Sequence, residues 1–268
     1  MSFGFRKENW KPQVFWPHSA LEMKDLIRIS AKDLGAVALP SFCERCFWLR
    51  MKCRGKLPFQ IFPGIFSSID SYSKTVTAGY FRKHARLPRW FDGFGELGAP
   101  IKVPGWAKFN MIDGDSNILL TGMPDEILKH SRKGLWIGDY KTARLTNAQD
   151  ELAPMYEIQL NCYALIAESI GLGSVYGLGL LYYEPITFLG EQNPDFMIHD
   201  DSFFLRFSPK LKPVEIDLNR IPPLFHTVRR ICDNSQCPAG RVGCVDCSNL
   251  TGLLEATQQS SSQKVDVN

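Results

Sequence analysis

The sequence predicts an α/β protein built on a central mixed sheet flanked by helices. Three observations lead there. Helical patterns dominate before residue 87. Strand-like runs fill the stretch from 117 to 216. One helical segment, 151–170, divides that stretch, so the order is helices, then β-β-α-β-β, then a helix.

Residues 1–40 hold scattered aromatics and three prolines with little periodicity, which predicts a loosely structured lead-in with one short helix near Ala20 to Ala31. Ser41 to Glu44 (S-F-C-E) reads as a capping box opening a helix to about Met51. Pro63 and Gly64 mark a turn, and residues 66–86 read as a helix despite the β-branched run Thr75, Val76, Thr77. The Pro- and Gly-rich residues 87–115 read as a long connection. Asn117 to Ile127 and Leu135 to Lys141 read as strands joined by a polar turn, His130 to Gly134, hence a hairpin. Glu151 to Ile170 carries Met155, Ile158, Cys162, Leu165 and Ile166 at helical spacing, stopped by Gly171 and Gly173. Val175 to Tyr183, Ser202 to Phe207 and Lys212 to Ile216 follow as strands. Leu218 to Cys232 is a last helix, Cys237 to Cys247 a loop, and residues 251–268 a polar, disordered tail. One domain over 41–250 accommodates these elements.

Composition narrows the function classes. With 44% hydrophobic and 22% charged residues, the chain can build an ordinary core. No apolar run approaches the roughly 18 residues of a membrane span. The N-terminus lacks a secretory apolar stretch, which predicts a cytoplasmic, reducing setting. The eight cysteines then point to metal binding rather than disulfides. A net charge of +3 says little by itself. Its distribution adds two basic clusters, Arg45, Arg50, Lys52, Arg54 and Lys56, then Arg82, Lys83, Arg86 and Arg89. Phe47, Trp48, Phe59, Tyr80, Phe81 and Trp90 are interleaved with them. Such patches suit a phosphate backbone and stacked bases; they equally suit a solvated helix face above aromatic packing.

Asp125 in G-M-P-D-E and Asp139 in G-D-Y-K stand out, because a carboxylate in a strand needs a partner. A hard divalent cation is the natural partner for two converging acids. Lys141, two residues after Asp139, shares its face, while the backbone carbonyl of Tyr140 offers another oxygen. In a metal site the lysine orients or helps deprotonate the metal-bound water. The competing reading is a salt bridge between adjacent strands.

These residues resemble the PD-(D/E)XK nuclease superfamily. Pro124-Asp125 matches the first half of its motif and Asp139-Tyr140-Lys141 the second, with the acids 14 positions apart. Tyr156, Gln159 and Tyr163 fall at i, i+3, i+7 on the next helix, similar to the Q-x-x-x-Y motif of the RecB-like branch. The resemblance implies a restriction-endonuclease-like core. It implies Mg²⁺ or Mn²⁺ on Asp125, Asp139 and Tyr140, catalysis assisted by Lys141, and support from Gln159 and Tyr163. The reaction implied is DNA phosphodiester hydrolysis on single-stranded or end-bearing substrate, in repair, recombination or CRISPR adaptation, with possible protein partners in those complexes. Members often carry a further Glu or His on an early helix; Asp70, His84 and Glu96 are candidates that no pattern selects. A non-cleaving nucleic-acid-binding or scaffold protein of the same fold is the alternative.

Cys43-x-x-Cys46 and Cys244-x-x-Cys247 have the spacing at which two thiolates reach one ion. Cysteine-bearing RecB-like exonucleases resemble this layout and imply a [4Fe–4S] cluster joining the two ends of the domain. Two ligand sets stand open: Cys43, Cys46, Cys244 and Cys247, or one N-terminal cysteine with Cys237, Cys244 and Cys247. Zinc is the alternative to iron–sulfur. Cys162, on an apolar helix face, reads as core.

Overall fold

The computed structural model describes residues 25–53, 64–105, 107–130, 132, 134–146, 151–187, 195 and 197–262. The predicted lead-in before residue 25, and Arg54, Lys56 and Phe59 of the first basic-aromatic cluster, lie outside them.

The chain enters through β1 (Ile27–Ser30), which turns directly into α1 (Ala31–Ala36). Ser30 makes that switch: its Oγ accepts from the Asp33 N–H and donates to Asp33 Oδ2. The helix predicted near Ala20 to Ala31 is thus a strand over its last described residues, and the I-R-I-S alternation is the signal for it. Ile29, Ala31 and Leu34 are core residues, so ordered structure starts before residue 41. In α2 (Glu44–Lys52) the N-cap is Cys43 and not Ser41, and no side chain caps the helix. The Cys43 thiol turns instead toward other cysteines. Next comes α3 (Ile65–His84). The expected long connection 87–115 holds a 3₁₀ turn, Arg89–Phe94, and two strands, β2 (Leu97–Pro100) and β3 (Asn110–Asp113).

The expected strand Asn117 to Ile127 divides into β4 (Ile118–Thr121) and β5 (Glu126–His130). Pro124 between them has no N–H to give a ladder, and the chain passes there from one sheet to the other. The hairpin of β5 with β6 (Gly134–Lys141) forms as expected, Glu126 opposite Gly138. A crossover through α4 (Ala153–Ser169) brings β7 (Val175–Pro185) parallel to β6. A short pair, β8 (Ile198–His199) and β9 (Ser202–Phe203), precedes β10 (Phe207–Val214). β10 overlaps the segments expected as Ser202 to Phe207 and Lys212 to Ile216. Pro209 and Pro213 sit within β10, an edge strand, where a missing N–H is tolerated. A 3₁₀ turn, Leu218–Arg220, leads into α5 (Ile221–Asp233). The expected disordered tail is helical as far as it is described: Val245–Ser262 forms α6, whose first turn holds Cys247, and residues 263–268 lie outside the described residues.

The strands form mixed sheets: β1-β4-β3, with β1 parallel to β4, and β10-β7-β6-β5-β2, whose centre is the parallel β7/β6 pair. α4 touches strands of both sheets as well as α1 and α5, and is buried on nearly every side. Alternation along β6 assigns its faces. Leu135, Ile137, Asp139 and Lys141 share one face, that of the main core with α4. Trp136, Gly138 and Tyr140 share the other, where Phe91, Phe94 and Tyr183 pack. Gly138 is required there: a Cβ would stand 2.3 Å from the Trp136 ring. Among the described residues, no helix is long and apolar enough to cross a membrane.

Candidate functional site

Two polar clusters are built into this frame. The first lies where β5 starts and β6 ends. The β6/β7 ladder carries Asp139 and Lys141 to the strand end with both side chains toward α4. Asp125, just ahead of β5, accepts from the Tyr140 N–H at Oδ2 (2.7 Å). Gln159 links the strand to the helix: its Nε2 donates to Asp139 Oδ1 (3.2 Å) and to the Tyr163 hydroxyl (2.7 Å). Lys141 Nζ lies 2.5 Å from Asp139 Oδ2, donates to Gln159 Oε1 at 3.5 Å, and sits 4.1 Å from the centre of the Tyr156 ring. The motif glycine Gly122 fits against the same helix; a Cβ there would fall 2.6 Å from the Tyr163 ring. The structure thus brings together Asp125, Asp139, Lys141, Gln159 and Tyr163. Tyr140 turns its side chain to the opposite face, where its hydroxyl donates to buried Glu126 (3.0 Å).

Sequence reasoning missed Lys74. From α3 it pairs with Asp125 Oδ1 (2.8 Å) and with Asp70 Oδ2 (2.7 Å). Asp70 therefore stands at the edge of the cluster. Glu96 is exposed beside β2, and His84 stacks near Tyr80 at the far end of α3. The i, i+4 spacing of Asp70 and Lys74 signals only a helix-surface pair; nothing local in sequence points Lys74 at Asp125.

The electrostatics are those of crowded acids. Burial, and then the charge of Asp139, push Asp125 up to about 6, against Lys74 and the Tyr140 N–H, which favour ionisation. Burial also raises Glu126, with its Tyr140 hydrogen bond opposing. Burial and Asp139 keep the Tyr163 hydroxyl protonated. Asp139 Oδ2 is buried, with the Lys141 ammonium 2.5 Å away as its charged partner. Two acids that crowd each other in this way, Asp125 and Asp139, fit a shared cation.

The second cluster joins two segments about 200 residues apart in sequence. Cys43 and Cys46, from the start of α2, meet Cys244 and Cys247, from the start of α6, with all four Sγ atoms within 4.8 Å of one another. This tetrad could hold a metal ion or an iron–sulfur cluster. Cys237 is exposed and lies outside it, which corrects the ligand set that included Cys237: the second N-terminal cysteine occupies that place. Cys162 is fully buried in α4, and burial pushes its thiol up, as expected of a core residue. Trp48 Nε1 donates to Asn234 O, and Arg230 pairs with Glu44, tying α2 to the end of α5 beside the tetrad.

The first basic cluster is largely engaged: Arg50 pairs with Asp33, and Lys52 lies over Trp48 and donates to Cys232 O. Arg82, Lys83, Arg86 and Arg89 are exposed.

No protein-family profile matches this sequence, and no curated protein matches it. Among solved structures, the crystal structure of SSO0001 is similar with a TM-score of 0.39 and 14% identity, over 80% of this chain and 86% of that one.

Proposed function

We propose that this chain is a Mg²⁺- or Mn²⁺-dependent nuclease with a restriction-endonuclease-like core, hydrolysing DNA phosphodiester bonds. One observation carries the reading: Asp125, Asp139 and Lys141 converge at the end of two paired strands, with Gln159 hydrogen-bonded into them from the next helix. An isolated salt bridge does not call for a glutamine bound to its acid, nor for a second, partly buried acid beside it.

In this reading Asp125 and Asp139 hold the cation, with the Tyr140 carbonyl as a further oxygen donor. A bound divalent ion supplies Lewis acidity and lowers the pKa of its water. Asp139 would keep Oδ1 on Gln159 and share Oδ2 between Lys141 and the ion. Lys141, steadied by Gln159 and the Tyr156 face, orients the attacking water and balances charge gathering on the phosphate. A cation on Asp125 would compete with Lys74, which Asp70 could still hold. Arg82 and Lys83 lie farther along α3, about 12–14 Å from Lys74 at helical rise, with Arg86 and Arg89 beyond its end; this exposed basic run suits a phosphate backbone.

The test is cleavage of defined single- and double-stranded DNA with Mg²⁺ or Mn²⁺. Asp139→Ala and Lys141→Ala should each lower the rate by about 10³-fold or more while leaving the thermal midpoint within a few degrees. Unchanged cleavage in both variants would remove the assignment. Binding without cleavage in the parent chain would favour the non-cleaving alternative, for which the Lys74–Asp125 pair is the supporting observation.

A further inference from the structure

The cysteine tetrad is spaced for one ion. Cys43 Sγ lies 3.6 Å from Cys247 Sγ, Cys46 Sγ 3.6 Å from Cys244 Sγ, and Cys46 Sγ 3.5 Å from Cys247 Sγ. Four thiolates around a zinc ion, at Zn–S of about 2.3 Å, stand about 3.8 Å apart along each tetrahedral edge. Even a regular tetrahedron with every edge at the 4.8 Å limit has its centre only about 2.9 Å from each sulfur, room for a single ion. A [4Fe–4S] core asks for more. Each thiolate binds a different iron, so it stands one bond beyond a corner of a cube that inorganic sulfides already hold open. The two C-x-x-C pairs do not enclose that volume.

The surroundings agree with a compact tetrathiolate. Both pairs sit at helix starts: Cys43 is the N-cap of α2 with Cys46 in its first turn, and Cys244 precedes α6 with Cys247 in its first turn. Free N–H groups and the positive ends of two helices therefore face the sulfurs. The Arg241 N–H donates to Cys43 Sγ (3.3 Å), and the loop folds back there, Cys244 N–H donating to Arg241 O. Gly240 lets the loop lie against the site; a Cβ would stand 2.9 Å from Cys247 Sγ. Gly243, at φ 73°, turns the chain between the two contacts.

We propose that Cys43, Cys46, Cys244 and Cys247 bind one zinc ion as a closed, redox-inert clasp between α2 and α6, in place of the iron–sulfur cluster that the RecB-like resemblance implies. The inference is independent of the nuclease reading, since it concerns different residues and a metal without a catalytic opening. The full chain should be produced in medium holding both iron and zinc, purified without oxygen, and analysed for metal and acid-labile sulfide. One zinc per chain, no sulfide and a colourless protein are expected. Cobalt exchanged into the site should give the visible absorption of a tetrahedral tetrathiolate. Cys237→Ser should keep that spectrum, and Cys46→Ser should weaken cobalt binding about a hundredfold or more. Iron with equimolar sulfide, or no ion bound in either metal experiment, would overturn the proposal. So would loss of the spectrum in Cys237→Ser.

Discussion

The two polar clusters are built in opposite ways. The carboxylate–lysine cluster is placed by regular structure: a hairpin, the helix that follows it, and one lysine from α3. Its members, Lys74 apart, span residues 125 to 163, and their geometry follows from strand pairing and helical turns. The cysteine cluster is placed by chain ends, about 200 residues apart in sequence, that no sheet ladder holds together. The first gains position from the fold; the second gives position to it. Mutations in the first should therefore alter chemistry with little cost in stability, and mutations in the second the reverse.

The largest effect that sharpens this contrast is expected at the tetrad. Cys247→Ser removes a ligand from a buried site where α6 has few other attachments. A loss of about 3 kcal/mol corresponds to a drop of roughly 6–12 °C in thermal midpoint for a chain of this size. DNA cleavage per folded molecule, measured well below that midpoint, should stay within about twofold. A midpoint equal to the parent's would show that the tetrad does not join the ends. A cleavage loss matching that of Asp139→Ala would erase the distinction between the clusters.

The same contrast explains what could be read in the sequence. The hairpin, the crossover helix and the D-x-K/Q-x-x-x-Y placement were legible because period-2 and period-3.6 patterns report on their own neighbourhood. Lys74 was not, because its partner Asp125 is chosen by how α3 packs over the sheet, a tertiary choice. The cysteine pairs were legible as pairs, but only the fold shows Cys237 standing outside them. The edge strand β2 was missed, and β10 was read only in part, for another reason. Pro100, Pro209 and Pro213 are turn signals in sequence and permitted residues at an edge, and edge status is a property of the finished sheet. Similarly, α6 has the polar composition of a tail, and its anchor, Cys247, needs partners from the other end of the chain.

A smaller effect separates packing from chemistry within the first cluster. Gly138 and Gly122 border it but touch rings: Trp136 in one case, Tyr163 in the other. Gly138→Ala pushes a methyl into the Trp136 indole, which Gly177 and Gly179 also accommodate, and overpacking of this kind costs about 1–3 kcal/mol. Gly122→Ala should cost a similar amount and also displace Tyr163, loosening Gln159 from Asp139. Chemical denaturation should show both losses. Only Gly122→Ala should reduce cleavage at saturating Mn²⁺, by about tenfold, the scale of an outer-shell partner. Equal cleavage losses in the two variants would mean that the site depends on the whole sheet and not on the Q-x-x-x-Y helix.

The smallest effect is a pH dependence expected at the first cluster. Burial and the neighbouring Asp139 raise Asp125 to about 6, above the 3.8 of an unperturbed aspartate. Between those values the folded chain holds a proton that the unfolded chain has released. Without metal, this group therefore makes the fold less stable as pH rises from about 4 to 6, and adds nothing further above that window. Metal reverses the preference, because a cation favours the ionised carboxylate. Mn²⁺ affinity, measured by titration calorimetry, should rise about tenfold per pH unit below about 6 and level off above it, with proton uptake by the buffer in the rising part. Asp125→Asn should weaken binding and flatten the profile through this window, since the proton competing with the metal is gone. A profile unchanged by that substitution would assign the titration to another group and leave Asp125 a partner of Lys74 alone.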